Sequence, residues 1–204
     1  YADAGKSLID RGGDTSRADM HSICERIGEQ SRRAAEVVQR LRKLVRSGTV
    51  SKSRQDINHI VKNVLLLFEY EIKKINTEIH FTPLATPLDL YVDEIQIQQV
   101  LVNLVKNSLD ALAQPGQAAG QIKIDLRQDG PELQVSVSDN GPGIPPGDHD
   151  RLFESFFTTK PNGVGLGLSI CKSIATAHGG HLKYTKPKEG GSRFTLYLPL
   201  ESIG

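Results

Sequence analysis

Cysteine, long apolar runs and charge of one sign are all scarce in this sequence, and each scarcity excludes something. Cys24 and Cys171 are the two cysteines among 204 residues, and they lie far apart in unlike contexts. That excludes a disulfide scaffold and predicts two reduced thiols of the buried type, as in a cytoplasmic protein. No window approaches 18 consecutive apolar residues and no signal-peptide pattern opens the chain, so no membrane contact is expected of this stretch. The formal net charge is +1; residues 1–50 carry 10 basic against 7 acidic residues, and the remainder 15 against 17. Neither half is a polybasic footprint, which argues against a nucleic-acid partner. What is present, 38% hydrophobic and 24% charged residues, suffices for a sizeable core in one or two domains.

The first 50 residues read as part of a helical hairpin. Positions 1–10 are helix-compatible, and Arg11-Gly12-Gly13-Asp14 is a stop followed by an N-cap candidate in Asp14 or Thr15. From there Met20, Ile23, Ile27, Gln30, Ala34, Val37, Leu41 and Leu44 recur at alternating spacings of three and four. That is a heptad seam on a helix of about 30 residues. A seam this narrow needs partner helices, most simply from a second copy, so a homodimer through residues 20–44 is expected. The small, polar stretch 47–53 reads as a linker between this partial hairpin (1–50) and a second domain (51–204).

The second domain mixes strand and helix signals. Residues 54–57 read as a short strand, and Asp56 begins a helix whose apolar positions run Ile60, Val64, Leu67, Phe68 and Ile72. Alternation marks strands at 78–82, 88–92, 121–127, 133–138, 181–186 and 193–198, with Asp129-Gly130-Pro131 joining the third to the fourth. Residues 164–177 read as a helix closed by a C-terminal cap at His178-Gly179-Gly180. The expected fold class is therefore α+β: a two-layer α/β sandwich, with helices on one face of a mixed sheet.

The most informative run is 96–112. Ile97, Val100, Leu101, Leu104, Val105, Leu109 and Leu112 form the broad buried face of an amphipathic helix. Asn103 and Asn107 interrupt it one turn apart, on the same side. Asparagine is a mediocre helix residue because its side chain competes for the backbone. Two of them beside a buried stripe suggest work for their side-chain oxygens. Downstream come Asp139-Asn140-Gly141-Pro142-Gly143-Ile144, then Phe153-Glu154-Ser155-Phe156-Phe157-Thr158-Thr159-Lys160, then Gly163-Val164-Gly165-Leu166-Gly167-Leu168. Alone, the first is a hairpin-turn signal. The last lacks the preceding strand and later acidic residue of a dinucleotide fingerprint, and a P-loop would require Gly-Lys-Ser/Thr. In this order, over residues 54–200, the four segments resemble the N, G1, F and G2 boxes of the sensor histidine kinase catalytic domain. That domain has the Bergerat fold and belongs to the ATP-binding group that includes gyrase B, Hsp90 and MutL.

The resemblance implies ATP and Mg²⁺ as cofactors. Asn107 would offer Mg²⁺ a neutral oxygen. Asp139, an acceptor-only carboxylate, suits the exocyclic amine of adenine and would repel the carbonyl of guanine. Gly141, Gly143 and Ile144 would turn beneath the base. Thr159 and Lys160 belong to a lid over 145–161, with Phe153, Phe156 and Phe157 anchoring its ends and Lys160 free to reach a phosphate. Gly163, Val164, Gly165, Leu166, Gly167 and Leu168 would present backbone N–H groups to phosphate at a helix start.

Asn103 stands where hydrolases of the group carry a Glu that activates water. An amide has no basic lone pair for that, so the γ-phosphate is kept for another nucleophile, such as a neutral imidazole. The family's phosphoacceptor pattern is His-Glu-x-x-x-Pro; neither His21 nor His59 matches, so the acceptor is expected before Tyr1. A response regulator receiver domain is the implied next carrier. Residues 40–45 (Arg-Leu-Arg-Lys-Leu-Val) and Phe-Phe-Thr-Thr-Lys resemble kinases that follow PAS sensor domains, including oxygen sensors of nitrogen fixation. Asp110 departs from the Lys or Arg common at its position, which leaves an ATPase of gyrase or Hsp90 type as one alternative. A nucleotide-responsive dimerisation module without chemistry is the other. His178 reads as a cap, not a base. The expected location is cytoplasmic, with anchoring of the intact protein left open.

Overall fold

Strand alternation sets the architecture of the computed structural model, which describes residues 24, 25, 27, 28, 51–75, 77–113, 119–160 and 163–200. In β4 (Gly120–Asp129), Ile122, Ile124 and Leu126 are buried while Gln121, Lys123 and Arg127 face solvent. β5 (Glu132–Asp139) buries Leu133, Val135 and Val137 in the same way and pairs antiparallel with β4. One face is therefore apolar and needs a cover. Around these two, β2 (Thr77–Thr82) runs parallel to β4, β7 (Ser192–Pro199) antiparallel to β5, and β6 (His181–Thr185) antiparallel to β7. The order across the sheet is β2-β4-β5-β7-β6. A separate antiparallel ribbon joins β1 (Ser53–Asp56) to β3 (Asp89–Val92).

Among the described residues the domain has four helices, α1 (Ile57–Leu66), α2 (Glu69–Lys74), α3 (Glu94–Leu112) and α4 (Gly167–Ala177), of which α1, α3 and α4 bury apolar side chains and α2 buries none. The central one is α3, which packs on α1, α4, β4 and β5, while α4 also packs on β6 and β7. Ile97, Val100, Leu101, Leu104 and Val105 are essentially inaccessible, each contributing about 1.5–3 kcal/mol by burial. Asp93 starts α3 by accepting from Gln96 N–H at 3.1 Å, and Asp56 starts α1 by accepting from Asn58 N–H at 2.8 Å, each cap being worth about 1 kcal/mol. The second Asp93 oxygen takes Ser51 N–H at 3.1 Å, tying the incoming chain to the head of α3. This is the two-layer α/β sandwich that the alternation predicts.

Several local expectations are corrected. The helix from Asp56 is two helices: Phe68 is buried while Leu66 and Leu67 are exposed, and the chain leaves the helix between them to turn Phe68 inward. The later helix begins at Gly167 rather than at 164, because Gly165 has φ +70°, a left-handed value that no α-helix contains. Cys171 is buried, but Cys24 is exposed, on a helical turn whose Glu25 and Ile27 also face solvent. The chain divides into two compact units, Tyr1–Gly48 and Thr49–Gly204. The hairpin and the remainder of its seam lie outside the described residues. No helix among the described residues is long and apolar enough to cross a membrane.

Candidate functional site

The site is built from the polar edge of α3. Asn103 and Asn107 are half-buried beside the apolar stripe, whereas Ser108 turns inward and is 2% exposed. Its hydroxyl donates to Oδ2 of Asp139 at 3.1 Å. Asp139 ends β5 and is 7% exposed. Its Oδ1 accepts from Gly141 N–H at 3.0 Å and Ser192 N–H at 3.3 Å. Burial raises the carboxyl above its ordinary value, and the donors at Gly141, Ser108 and Ser192 pull it back. A carboxylate offers roughly four lone-pair positions; three are engaged, so one more donor can be received.

Behind Asp139 the chain returns at Gly190-Gly191. Gly191 has φ +77°, and a Cβ there would collide with the Asp139 carbonyl oxygen, so only glycine lets β7 begin this close. Ser108, Gly191 and Ser192 are site residues that sequence reasoning missed. The available signals were a serine directly after the second asparagine and a glycine pair opening the last strand. Ile144, half-buried beyond Gly143, meets the His149 ring through its carbonyl at 3.0 Å.

The lid follows. A 3₁₀ turn at Pro146–Arg151 leads to buried Leu152 and half-buried Phe153 and Phe157. The Lys172 ammonium lies 5.9 Å from the Phe153 ring and the Arg151 guanidinium 4.5 Å from that of Phe157. These two rings lie half-buried beside a cation each; Phe156 does not. It is 61% exposed and has φ +71°, a strained value for a bulky residue. The cause is local: Phe156 N–H donates to Gly165 O at 2.9 Å, and the bare Cα of Gly165 lies against the Phe156 and Phe157 carbonyls. This pinch turns the ring outward.

Thr159 is exposed. Lys160 departs from expectation: it is not free. Its ammonium donates to Asn107 Oδ1 at 2.9 Å and to Asp110 Oδ2 at 2.7 Å, drawn there by the Asp110 charge. Gly163 and Val164 are half-buried; Leu166 points into the core, and half-buried Leu168 follows it inside α4. Gly167, the first residue of α4, stands against the Asn103 amide oxygen, which a Cβ there would meet at 3.7 Å. The fold thus brings Asn103 to the Gly-rich helix start, Asn107 to the lid, and Asp139 to Gly141.

Asn107 Oδ1 already accepts from a cation, the lysine ammonium, so its oxygen fits Mg²⁺. No group of three His, Cys, Asp or Glu side chains that could hold a metal occurs among the described residues, so phosphate oxygens and water would have to complete the shell. His178 is 4% exposed. Its Nδ1–H donates to Ile174 O at 2.9 Å while Nε2 accepts from Asp93 N–H at 3.0 Å. Both nitrogens of the neutral ring are engaged, and burial lowers its pKa. It is a cap, followed by Gly179 with φ +74°.

Known proteins share this fold. Residues 92–202 match the family described as Histidine kinase-, DNA gyrase B-, and HSP90-like ATPase. Sensor protein TdiS of Thauera aromatica is 34% identical over 82% of this chain and 31% of its own length. Sensor protein FixL of Bradyrhizobium diazoefficiens is 34% identical over 98% of this chain and 39% of its own. The chain thus spans about a third of the curated relatives it matches. Among solved structures, the nucleotide-free catalytic domain of histidine kinase ThkA superposes with a TM-score of 0.66 at 35% identity, over 72% of this chain and 95% of that one. ThkA in complex with response regulator protein TrrA superposes with a TM-score of 0.73 at 28% identity, over 97% of this chain and 57% of that one. With Asn-pair helix, buried aspartate, lid and Gly-rich helix start in one site, the chain belongs to the family of histidine kinase-, DNA gyrase B- and HSP90-like ATPases, as an ATP-binding domain of the sensor histidine kinase kind.

Proposed function

We propose that this domain binds Mg²⁺·ATP among α3, α4 and the lid and donates the γ-phosphoryl group to a histidine upstream of Tyr1. A response regulator aspartate then receives it. The observation that carries the reading is Asn103, whose amide oxygen stands beside the first residue of α4. An amide there can orient a phosphate or a water but cannot take a proton from water, so ATP is held without being hydrolysed. Asp139 accepts the adenine amine, with Ser108 and Gly141 fixing the carboxylate. The Gly163–Gly167 backbone and the head of α4 receive phosphate oxygens. Asn107 holds Mg²⁺, which when bound neutralises phosphate charge while the protein positions the donor for in-line transfer. Residues 1–50 serve as the dimerisation part, pairing two copies through the 20–44 seam, and 51–204 as the catalytic part. The ThkA complex with TrrA supports a receiver domain as partner.

The test uses γ-labelled ATP with Mg²⁺ on this chain and on one extended upstream through the preceding helix. Acid-labile, base-stable label on the longer chain alone is the expected result. Free phosphate from both, with no labelled protein, would overturn the kinase reading in favour of an ATPase. A Leu41→Lys chain should remain a nucleotide-binding monomer in sedimentation; a persistent dimer would remove the seam as interface.

A further inference from the structure

Lys160 crosses from the lid to α3, fifty residues earlier in sequence, and lands on two oxygens at once. Asn107 and Asp110 are three positions apart, so their side chains share one face of the helix. Asp110 therefore draws a compact cation onto the very oxygen that the metal is proposed to use. The pair is half-open to water, with the Lys160 and Asp110 side chains 42% and 41% accessible. An ion pair so exposed contributes little to the fold, so a ligand can exchange it. The segment before it is preset: Lys160 N–H donates to Thr158 Oγ1 at 3.1 Å, and the Phe156–Gly165 bond at 2.9 Å closes the base of the loop.

The geometry points to Asp110 as the positioning residue for Lys160. Asp110 parks the lid lysine on Asn107, on the oxygen proposed for the metal. When Mg²⁺·nucleotide arrives, the ammonium leaves Asn107 for the polyphosphate while Asp110 keeps the lysine within reach. This rests on the ATP-binding reading above. An ammonium has three donors, so it can hold Asp110 and a phosphate oxygen together. An acidic residue on α3 thereby delivers a positive charge to the phosphates, borrowed from the lid. It also couples metal to lid: the nucleotide without its metal gives Asn107 nothing in exchange for the lysine.

Two measurements test this. The first needs no nucleotide. Acylation of Lys160 by an amine-reactive ester, followed by peptide mass spectrometry with exposed Lys106 and Lys123 as internal references, is expected to rise about threefold in Asp110→Asn over the unsubstituted chain. Asp110→Glu should return it toward the original rate. Equal rates in all three would overturn the parking. The second is titration of a fluorescent ATP analogue, with and without Mg²⁺, on the unsubstituted chain, Asp110→Asn, Lys160→Met and the double variant. With Mg²⁺, each single change should weaken binding about threefold and the double change no more than Lys160→Met alone. Additive losses would show that Asp110 acts independently of the lysine and overturn the hand-over while leaving ATP binding standing. An unsubstituted chain that binds no nucleotide would instead remove the ATP reading, and the hand-over with it, with the acylation rates still deciding whether Asp110 holds the lysine.

Discussion

Asp139 and Lys160 are both charged residues of one candidate site, and the fold holds them in opposite ways. Asp139 is buried at the end of a strand and receives three donors from α3, its own turn and β7. Lys160 sits on an exposed lid and is held by side-chain contacts at the surface of α3. On the ATP-binding reading, the base-recognition side is prebuilt, because a buried carboxylate is costly without donors. The phosphate side is exchangeable, because its contacts cost little to break. That division would serve a site of the proposed kind, which receives a constant adenine and a changing number of phosphates.

The largest expected effect comes from Asp139→Asn, which turns the acceptor proposed to receive the adenine amine into a donor. Nucleotide affinity should fall by about 100-fold or more in a fluorescent-analogue titration. The fold should persist, because the amide can still serve Ser108 and the two backbone donors. The raised carboxyl pKa fixes the sign for stability: the Asp139 contribution is fully present below the ordinary value of 3.8 and is lost as pH rises through the folded-state value. The neutral amide escapes that loss, so at pH 7 the variant should unfold at equal or higher denaturant. A marked loss of stability would mean that this side of the site is not prebuilt.

Next, Asn107→Ala should abolish the Mg²⁺-dependent part of ATP affinity, about tenfold or more, and leave metal-free binding little changed in the same titration. Equal losses with and without Mg²⁺ would move Asn107 from the phosphate side to the rigid one. His178→Gln tests the rigid side by pH. The lowered pKa means that the stabilising contribution of His178 is fully present above its ordinary value of 6.5 and is lost as pH falls through the folded-state value. The original chain should thus lose stability below pH 6.5 by up to about 1 kcal/mol per unit from this group, and the variant should lack that slope in denaturant midpoints. The smallest effect is Phe156→Asn, which relieves a left-handed bulky residue and should stabilise the domain by about 1 kcal/mol. A loss of stability there would show that the exposed ring has packing that its accessibility conceals.

The same contrast separates what was legible in the sequence from what was not. The apolar positions of 97–112 mark α3 because all of them face one core, and Asn103 and Asn107 stand out against that stripe. Asp139 is readable because its neighbours Gly141 and Gly143 are local. The contacts that finish the site are distant in sequence. Ser192 reaches Asp139 across 53 residues, and Lys160 reaches Asp110 across 50; periodicity carries no trace of either. Phe156 misleads for a related reason. An aromatic in a loop reads as an anchor, and only the Gly165 pinch, nine residues on, turns it out. The helix break before Glu69 is likewise unmarked in the sequence, since no Gly or Pro stands there.

Gly191 and Ser192 also bear on how the domain is made. Asp139 acquires its full set of donors only when β7 lies beside β5, a pairing that joins Glu132 to Pro199. Contacts so far apart in sequence form late, because the intervening chain has to be closed first. During synthesis from the N-terminus, α3 and the β4–β5 hairpin emerge well before the strand that completes the base-recognition end. Nascent chains that stop short of Ser192 therefore carry every asparagine of the site and no finished acceptor. On the ATP-binding reading, ATP would not rescue such chains, and affinity for it would appear only as the last strand docks.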